Sequence, residues 1–253
     1  MFDRKKYKAF ARRQLQGRWT VPVIITIISA LILIIFAIPE AVEIVRSIPE
    51  IPEIDFSDVK SVSIFVNTVS GGSSSSLLSY IQVAVEAILY LAAINVYLKM
   101  SRSPEKVSLS DFFEGMNNWF RALLAAIWKG IWLFLWLIPS LFLFMIPVII
   151  KALAYSQIYF IVAEYKNVSI PRALSISKVI TQGHKMDLFI MLMSFLGWAI
   201  LASIPAFLGF LWLRPYMHMS FINAYHAMLK EAIETGRLKP EDLMIQNTVP
   251  EEN

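Results

Sequence analysis

Four long apolar runs alternate with short charged segments along this chain. The runs 20–38 and 77–98 each provide about the 20 residues that an α-helix needs to cross a hydrocarbon core of about 30 Å. Glu86 is the one charged residue inside the second run. We therefore predict one membrane-spanning helix from each of these two runs.

The other two runs are twice as long, since 42 residues separate Arg121 from Glu164 and another 42 separate Asp187 from Lys230. One straight helix of that length would measure about 63 Å at 1.5 Å per residue. Each run is therefore predicted to form a hairpin of two spans, with a turn near the prolines at its middle. The four spans are placed at 122–145, 148–163, 188–204 and 207–229.

The predicted fold is all-α, a polytopic membrane helical bundle of about six transmembrane helices with interfacial amphipathic helices. The membrane domain covers 19–229. Composition agrees, because 57% of the residues are hydrophobic and only 17% are charged, whereas a soluble domain carries about 25% charged residues. A bundle of four full spans with re-entrant segments is the alternative.

The distribution of Lys and Arg predicts the orientation of the spans. With the N-terminus inside, the inner segments hold 18 of the 23 basic residues, whereas the outer loop 39–76 holds only Arg46 and Lys60. The positive-inside rule then places both termini, including the tail 230–253, in the cytoplasm. The inner segments are 1–18, 99–121, 164–187 and 230–253.

Three segments outside the spans are predicted to be helical. Residues 1–18 combine basic and aromatic positions, which is typical of an amphipathic helix on anionic lipid headgroups, and a solvated start that only sets the topology fits equally well. The inner helices are predicted at 108–121 and 169–183, each with a serine in the N-cap position. Gly183 suits the end of the second helix.

Charged residues inside the spans are candidates for function, because an unpaired charge there costs at least about 2.5 kcal/mol on insertion scales. Glu86 and Arg214 are predicted at equal depth, so we expect an ion pair between them. Lys151 is the alternative partner, although it can also reach the surface along its own stem, and Lys129 is expected to do so inward.

Two further groups of residues carry a functional and a structural interpretation. His184 and Lys185 are candidate contacts for an anionic headgroup, or they simply end one helix and anchor the next. Trp128, Trp132 and Trp136 recur every four residues, so they form a stripe that either stacks on a sugar or lipid or packs against other helices.

Enzyme and cofactor motifs are missing from the sequence. It has no nucleophile elbow, no phosphate-binding glycine loop and no cysteine, so we predict no catalytic residue and no cofactor. His218 and His226 lie eight residues apart without an acid beside them, which favours packing over metal binding. The basic residues flank apolar spans, so membrane lipids are the expected partners and nucleic acid is not.

Three motifs in the last third of the chain are distinctive: Gly183-His-Lys-x-Asp-x-Phe189, Ser194-Phe-x-Gly-Trp198 and Leu211-Trp-x-x-Pro-Tyr216. With Arg12-Arg13-x-Leu15-x-Gly17 before the first span, they resemble the bacterial domain-of-unknown-function family 975. The resemblance implies an integral protein of the bacterial plasma membrane, related to the membrane domain of glycerophosphodiester phosphodiesterases, without an established activity. Arg214 departs from the pattern, where an uncharged residue is expected.

The leading functional hypothesis is a non-enzymatic membrane protein that binds or moves a lipid or another amphiphile, or that serves membrane homeostasis. It rests on the intramembrane charges, the tryptophan stripe and the basic segments. The alternative is a scaffold that docks a partner protein through the helices 108–121 and 169–183. An intramembrane enzyme fits least, because no nucleophile and base can be assembled.

The predicted topology can be tested with single cysteines, because the chain contains none. We expect Ser75→Cys and Asn253→Cys to react with a membrane-impermeant maleimide from opposite sides of the membrane, since the first lies in the outer loop and the second in the inner tail. Labelling of both cysteines from outside intact cells would contradict this topology.

Overall fold

The computed structural model describes residues 2–47, 77–142, 145–205 and 207–243, and every regular element in these ranges is helical, with one 3₁₀ helix after the α-helices. The predicted fold class is confirmed. The helices are α1 Arg4–Leu15, α2 Thr20–Ser47, α3 Leu77–Arg102, α4 Leu109–Met116, α5 Trp119–Phe142, α6 Ile146–Ala154, α7 Ile158–Glu164, α8 Ile170–Ile180, α9 Lys185–Ser203 and α10 Phe210–Glu234, followed by the 3₁₀ helix Pro240–Leu243.

Five helical stretches in the described ranges are long and apolar enough to cross a membrane, close to the predicted six. They lie in α2, α3, α5, α6 with α7, and α9. Only 11% of the apolar window of α5 is buried, and 17% of those of α2 and α9. Apolar surface of that extent marks a membrane protein. The sixth predicted span, 207–229, corresponds to the more polar α10, which is 25 residues long.

The chain divides into two compact units. The first comprises Met1–Thr26 and Ala87–Asn253, and the second comprises Ile27–Glu86. The described part of the second unit consists of most of α2 and the beginning of α3. The helix α2 runs to Ser47 through Pro39, beyond the predicted end at residue 38, although an interior proline removes a helical hydrogen bond and crowds the preceding turn. Most of the predicted outer loop, 48–76, lies outside the described residues.

The helix α10 is the centre of the first unit, where it contacts α1, α8 and α9. Ala224 of α10 is fully buried in a cluster with Met191 and Phe195 of α9. On α1, Ala11 and Leu15 are fully buried, and Asn223 of α10 donates a hydrogen bond to Gln14 at 2.8 Å. The predicted N-terminal helix therefore exists, and one of its faces packs against protein.

The predicted fourth span, 148–163, is broken into α6 and α7 by a turn at 155–157. The side chains of Ser156 and Gln157 form local hydrogen bonds there. The Ser156 hydroxyl donates to the Leu153 carbonyl at 2.7 Å, and the side-chain amide of Gln157 donates to the Ser156 hydroxyl at 2.6 Å. Short polar side chains of this kind compete with helical hydrogen bonds. The break leaves backbone groups of Ala154 and Gln157 without helical partners.

The helix α8 supplies the missing partners. The Ser177 hydroxyl donates to the backbone carbonyl of Ala154 at 2.7 Å and accepts from the backbone N–H of Gln157 at 3.2 Å. Thr181 also donates to the Ala154 carbonyl, at 3.4 Å. Because Ser177 and Thr181 are fully buried, α8 is a structural part of the bundle and its apolar face is not free. That face also contains the buried residues Ile170, Leu174 and Ile180.

We predict that Ser177→Ala lowers the free energy of unfolding by about 1–3 kcal/mol, because it leaves a buried carbonyl and a buried amide without partners. Ser175→Ala on the same helix is the control, since Ser175 is exposed and bonds only to the Pro171 carbonyl of its own helix. Its effect should stay within about 0.5 kcal/mol. Denaturant titration in detergent measures both, and equal effects would contradict the bridging role.

Candidate functional site

An open groove of about 480 Å³ lies in the first unit between α1, α9 and α10. This volume falls in the range of about 300–1,000 Å³ typical of small-molecule sites. Trp198 and Trp212 are each 53% exposed, so their rings are accessible to a ligand. The wall is largely apolar and consists of Trp19, Trp198, Leu201, Ala202, Gly209, Trp212, Leu213 and Tyr216, together with Arg12.

The polar groups of the groove are Arg12 and Tyr216. The Arg12 guanidinium lies 5.4 Å from the centroid of the Tyr216 ring. Within the described ranges, the Tyr216 hydroxyl is buried without a hydrogen-bond partner, and no ion pair involves Arg12. The groove thus combines apolar walls with one cation and one hydroxyl that have no polar partner in this part of the chain.

Close packing between α9 and α10 shapes the groove. A Cβ atom at Gly209 would lie 2.5 Å from the Cα atom of Ala202, so only glycine fits without a shift of the backbone. The two helices therefore touch at this point, and the larger side chains of Trp198 on α9 and Trp212 on α10 both line the groove.

Polar contacts fix α1, which carries Arg12, against α9. The Lys8 ammonium bonds the Ser194 hydroxyl at 2.7 Å and lies 3.8 Å from the centroid of the Phe195 ring. Desolvation by burial lowers the pKa of Lys8, and repulsion from Arg4 and Arg12 lowers it further. The position of Arg12 at the groove thus follows from the docking of its helix.

The predicted tryptophan stripe faces lysines from two other helices. The Lys151 ammonium of α6 lies 4.0 Å from the Trp136 ring centroid, and that of Lys178 of α8 lies 5.1 Å from the Trp132 centroid. Trp128 packs edge-on against Trp132 with centroids 6.5 Å apart. Part of this stripe is therefore used in contacts between protein side chains, and no tryptophan of the stripe lines the groove.

His184 and Lys185 make different kinds of contact in the structure. His184 contacts Glu231 at 3.0 Å and Asp187 at 3.4 Å, and the hydrogen bond with His184 holds the pKa of Glu231 below its usual value. Lys185 makes no ion pair with a described carboxylate. The preceding helix ends earlier than predicted, at Ile180 with Thr181 as its cap, and Gly183, at φ +88°, lies in the turn that leads into α9. Headgroup binding by this pair stays a prediction.

The family model described as "Protein of unknown function (DUF975)" matches residues 1–153 and 141–232, which is nearly the whole described bundle. This chain belongs to the DUF975 family. No curated protein and no solved structure matches it. The motifs that carried the resemblance supply four residues of the groove, Arg12, Trp198, Trp212 and Tyr216. Sequence reasoning had recognised these motifs without bringing them together in one site.

For this DUF975 protein, the predicted Glu86–Arg214 ion pair stays a prediction. Glu86 is the last residue of the second unit, Arg214 belongs to the first, and both side chains are exposed. Lys129 is half-buried, with its ammonium 5.3 Å from the centroid of the Tyr159 ring. The charges predicted inside the spans thus do not form one cluster in the first unit.

Both candidate metal-binding histidines pack against other side chains. His218 stacks on Tyr97 with centroids 5.3 Å apart, and His226 hydrogen-bonds Ser101 at 3.0 Å. Across the described ranges, no group of three His, Cys, Asp or Glu side chains is placed to hold a metal ion. These contacts assign the two histidines to the packing of α3 against α10.

A buried carboxylate that sequence reasoning missed ends α7. Glu164 is only 2% exposed and pairs with Arg102 of α3, while the Tyr225 hydroxyl of α10 donates to it. Three helices therefore meet at one charge. Its position in the sequence, at the boundary of a predicted span, gives no sign of this role, because its partners lie about 60 residues away in the chain on either side.

We predict that Arg102→Gln lowers the free energy of unfolding by about 1–3 kcal/mol, because it leaves the buried Glu164 carboxylate with only Tyr225. Arg172→Gln is the matched control, since the Arg172–Asp242 pair is exposed by 47% and 30% and such pairs contribute about 0–1 kcal/mol. Chemical unfolding in detergent compares the variants. A control as destabilised as the Arg102 variant would remove the case for this buried pair.

Proposed function

We propose that this protein binds an anionic amphiphile of the bilayer in the groove between α1, α9 and α10, without changing it chemically. The observation that carries the proposal is the composition of that groove. It is lined by three tryptophans and by aliphatic side chains, and it contains one arginine that has no carboxylate partner in the described ranges.

The two parts of such a ligand match the two parts of the groove. A hydrocarbon chain gains about 25 cal/mol for each Å² of apolar surface that it removes from water, and the exposed rings of Trp198 and Trp212 offer such surface. A phosphate or carboxylate accepts bidentate hydrogen bonds from a guanidinium such as that of Arg12. The buried Tyr216 hydroxyl supplies a further donor.

The cellular setting remains part of the proposal. The distribution of basic residues supports a plasma-membrane protein with cytoplasmic termini, and the family resemblance supports a bacterial one. The scaffold alternative retains one feature in its support, the exposed aromatic residues Phe113, Trp119 and Phe120 where α4 meets α5. The helix α8 does not support it, because its apolar face is buried in the bundle.

The groove can be tested with lysophosphatidylglycerol as anionic probe and lysophosphatidylcholine as zwitterionic probe, titrated into the full chain in non-ionic detergent. We expect Arg12→Gln to weaken binding of the anionic probe about tenfold, equivalent to about 1.4 kcal/mol, and to leave the zwitterionic probe nearly unaffected. Arg13→Gln is the matched control, because Arg13 is exposed on the same helix and lies outside the groove lining.

A second pair of variants tests the apolar part. Leu201→Trp should fill the groove and weaken both probes, whereas Leu196→Trp should not, because Leu196 is similarly exposed on α9 but does not line the groove. Native mass spectrometry measures the bound probe in each case. Equal binding to the Arg12 and Arg13 variants, together with equal binding to the two leucine variants, would overturn the proposed function.

A further inference from the structure

Three lysines from three helices come together at a place separate from the groove. Lys151 of α6 and Lys178 of α8 lie over Trp136 and Trp132, which are one helical turn apart on α5. Lys185 is the first residue of α9, which packs against α6, the helix that carries Lys151. The charges of Lys178 and Lys185 also repel that of Lys151.

No carboxylate neutralises this group in the described ranges, where none of the ion pairs includes any of the three lysines. Two acidic residues near Lys185 are already engaged, since His184 contacts both Asp187 and Glu231. The tryptophan faces offset part of the electrostatic cost of bringing these charges together, through cation–π contacts. Such contacts do not remove the mutual repulsion of three like charges.

We propose that Lys151, Lys178 and Lys185 form a binding site for the phosphate group of an anionic phospholipid. Basic pockets between membrane helices bind phosphate-bearing headgroups, and each lysine near the membrane surface adds to that attraction. A phosphate accepts hydrogen bonds from several ammonium groups at once. It therefore neutralises the three lysine charges, which no carboxylate of the described chain does.

The surroundings favour a lipid over a free phosphate ion. Lys151 lies in the candidate span Ile146–Glu164, and its neighbours Ile149 and Ile150 are 45% and 41% exposed. A lipid whose phosphate sits at the lysines can lay an acyl chain on these isoleucines. An inorganic ion would leave this apolar surface uncovered.

The test uses the full chain in non-ionic detergent with three titrants: dihexanoyl phosphatidylglycerol, dihexanoyl phosphatidylcholine and inorganic phosphate. We expect the wild type to bind the anionic lipid at this site. A triple variant should bind it at least about tenfold more weakly; it carries Lys151→Gln, Lys178→Gln and Lys185→Gln. The matched control carries Lys106→Gln, Lys166→Gln and Lys239→Gln, which remove the same charge from exposed lysines. Native mass spectrometry counts the bound lipids.

The same count separates this site from the proposed groove. The lysine site is supported if the lysine variant loses one bound lipid while the Arg12→Gln variant still binds a lipid at the lysines. This holds even if the proposed groove binds none. Three lysine-to-arginine changes should retain binding, and if the triple glutamine variant fails to fold, Lys178→Gln and Lys185→Gln should each weaken it measurably. Lysine-dependent binding of inorganic phosphate alone would assign the site to a soluble ion and overturn its lipid source. Equal binding by the lysine variant and its control would overturn the site.

Discussion

A backbone carbonyl in apolar surroundings must find a hydrogen-bond donor. The break between α6 and α7 leaves such a carbonyl without its helical donor. The carbonyl of Ala154 meets it through the hydroxyl groups of Ser177 and Thr181. That solution places α8 inside the bundle, next to α5, α7 and α10. The position of α8 in turn brings Lys178 over Trp132, and the chain then continues into α9, which packs against α6, the helix of Lys151. The lysine site therefore follows from the repair of a broken helix.

The charges of the first unit are distributed unevenly between paired and unpaired groups. Each of the acids Asp111, Glu164, Glu231 and Asp242 has a basic partner in the described ranges. The hydrogen bond from Lys99, with smaller contributions from Ser108, holds the pKa of Asp111 below its usual value. Arg12 and the three clustered lysines have no such partner there. Because the paired carboxylates are used within the fold, the remaining cations are left to attract anions from outside the chain.

Much of the architecture could be predicted from the sequence, because membrane spans depend on local properties. The length of each apolar run predicts a helix. The helix α3 begins at the start of the run 77–98, and α10 corresponds to the predicted span 207–229. Capping residues are also local, as the bond from the Ser108 amide to Asp111 at 2.8 Å illustrates. The break after Ala154 was missed, since no proline marks it and only the polar pair Ser156-Gln157 signals it.

The candidate sites were harder to predict, because they depend on contacts between distant segments. Arg12 and Trp212 are 200 residues apart in the chain and meet only because α1 docks on α9 and α10. The depth argument from the sequence pairs Lys151 with Glu86 or takes it to the surface, whereas in the structure Lys151 lies over Trp136, one helical turn from the Trp132 ring that Lys178 faces. A one-dimensional depth argument ranks residues along the membrane normal but does not say which helices are neighbours.

The helix α9 connects the two proposed sites and also keeps them distinct. Lys185 is its first residue, and Trp198 and Leu201 lie thirteen and sixteen residues further on. At 1.5 Å per residue these positions are about 20–24 Å apart, too far for one phosphate to contact both Arg12 and the lysines. The two proposals therefore assign two separate anionic lipids to positions along α9, each with its own cations. Binding at one site then leaves the cations of the other free, because no charged side chain is shared between them.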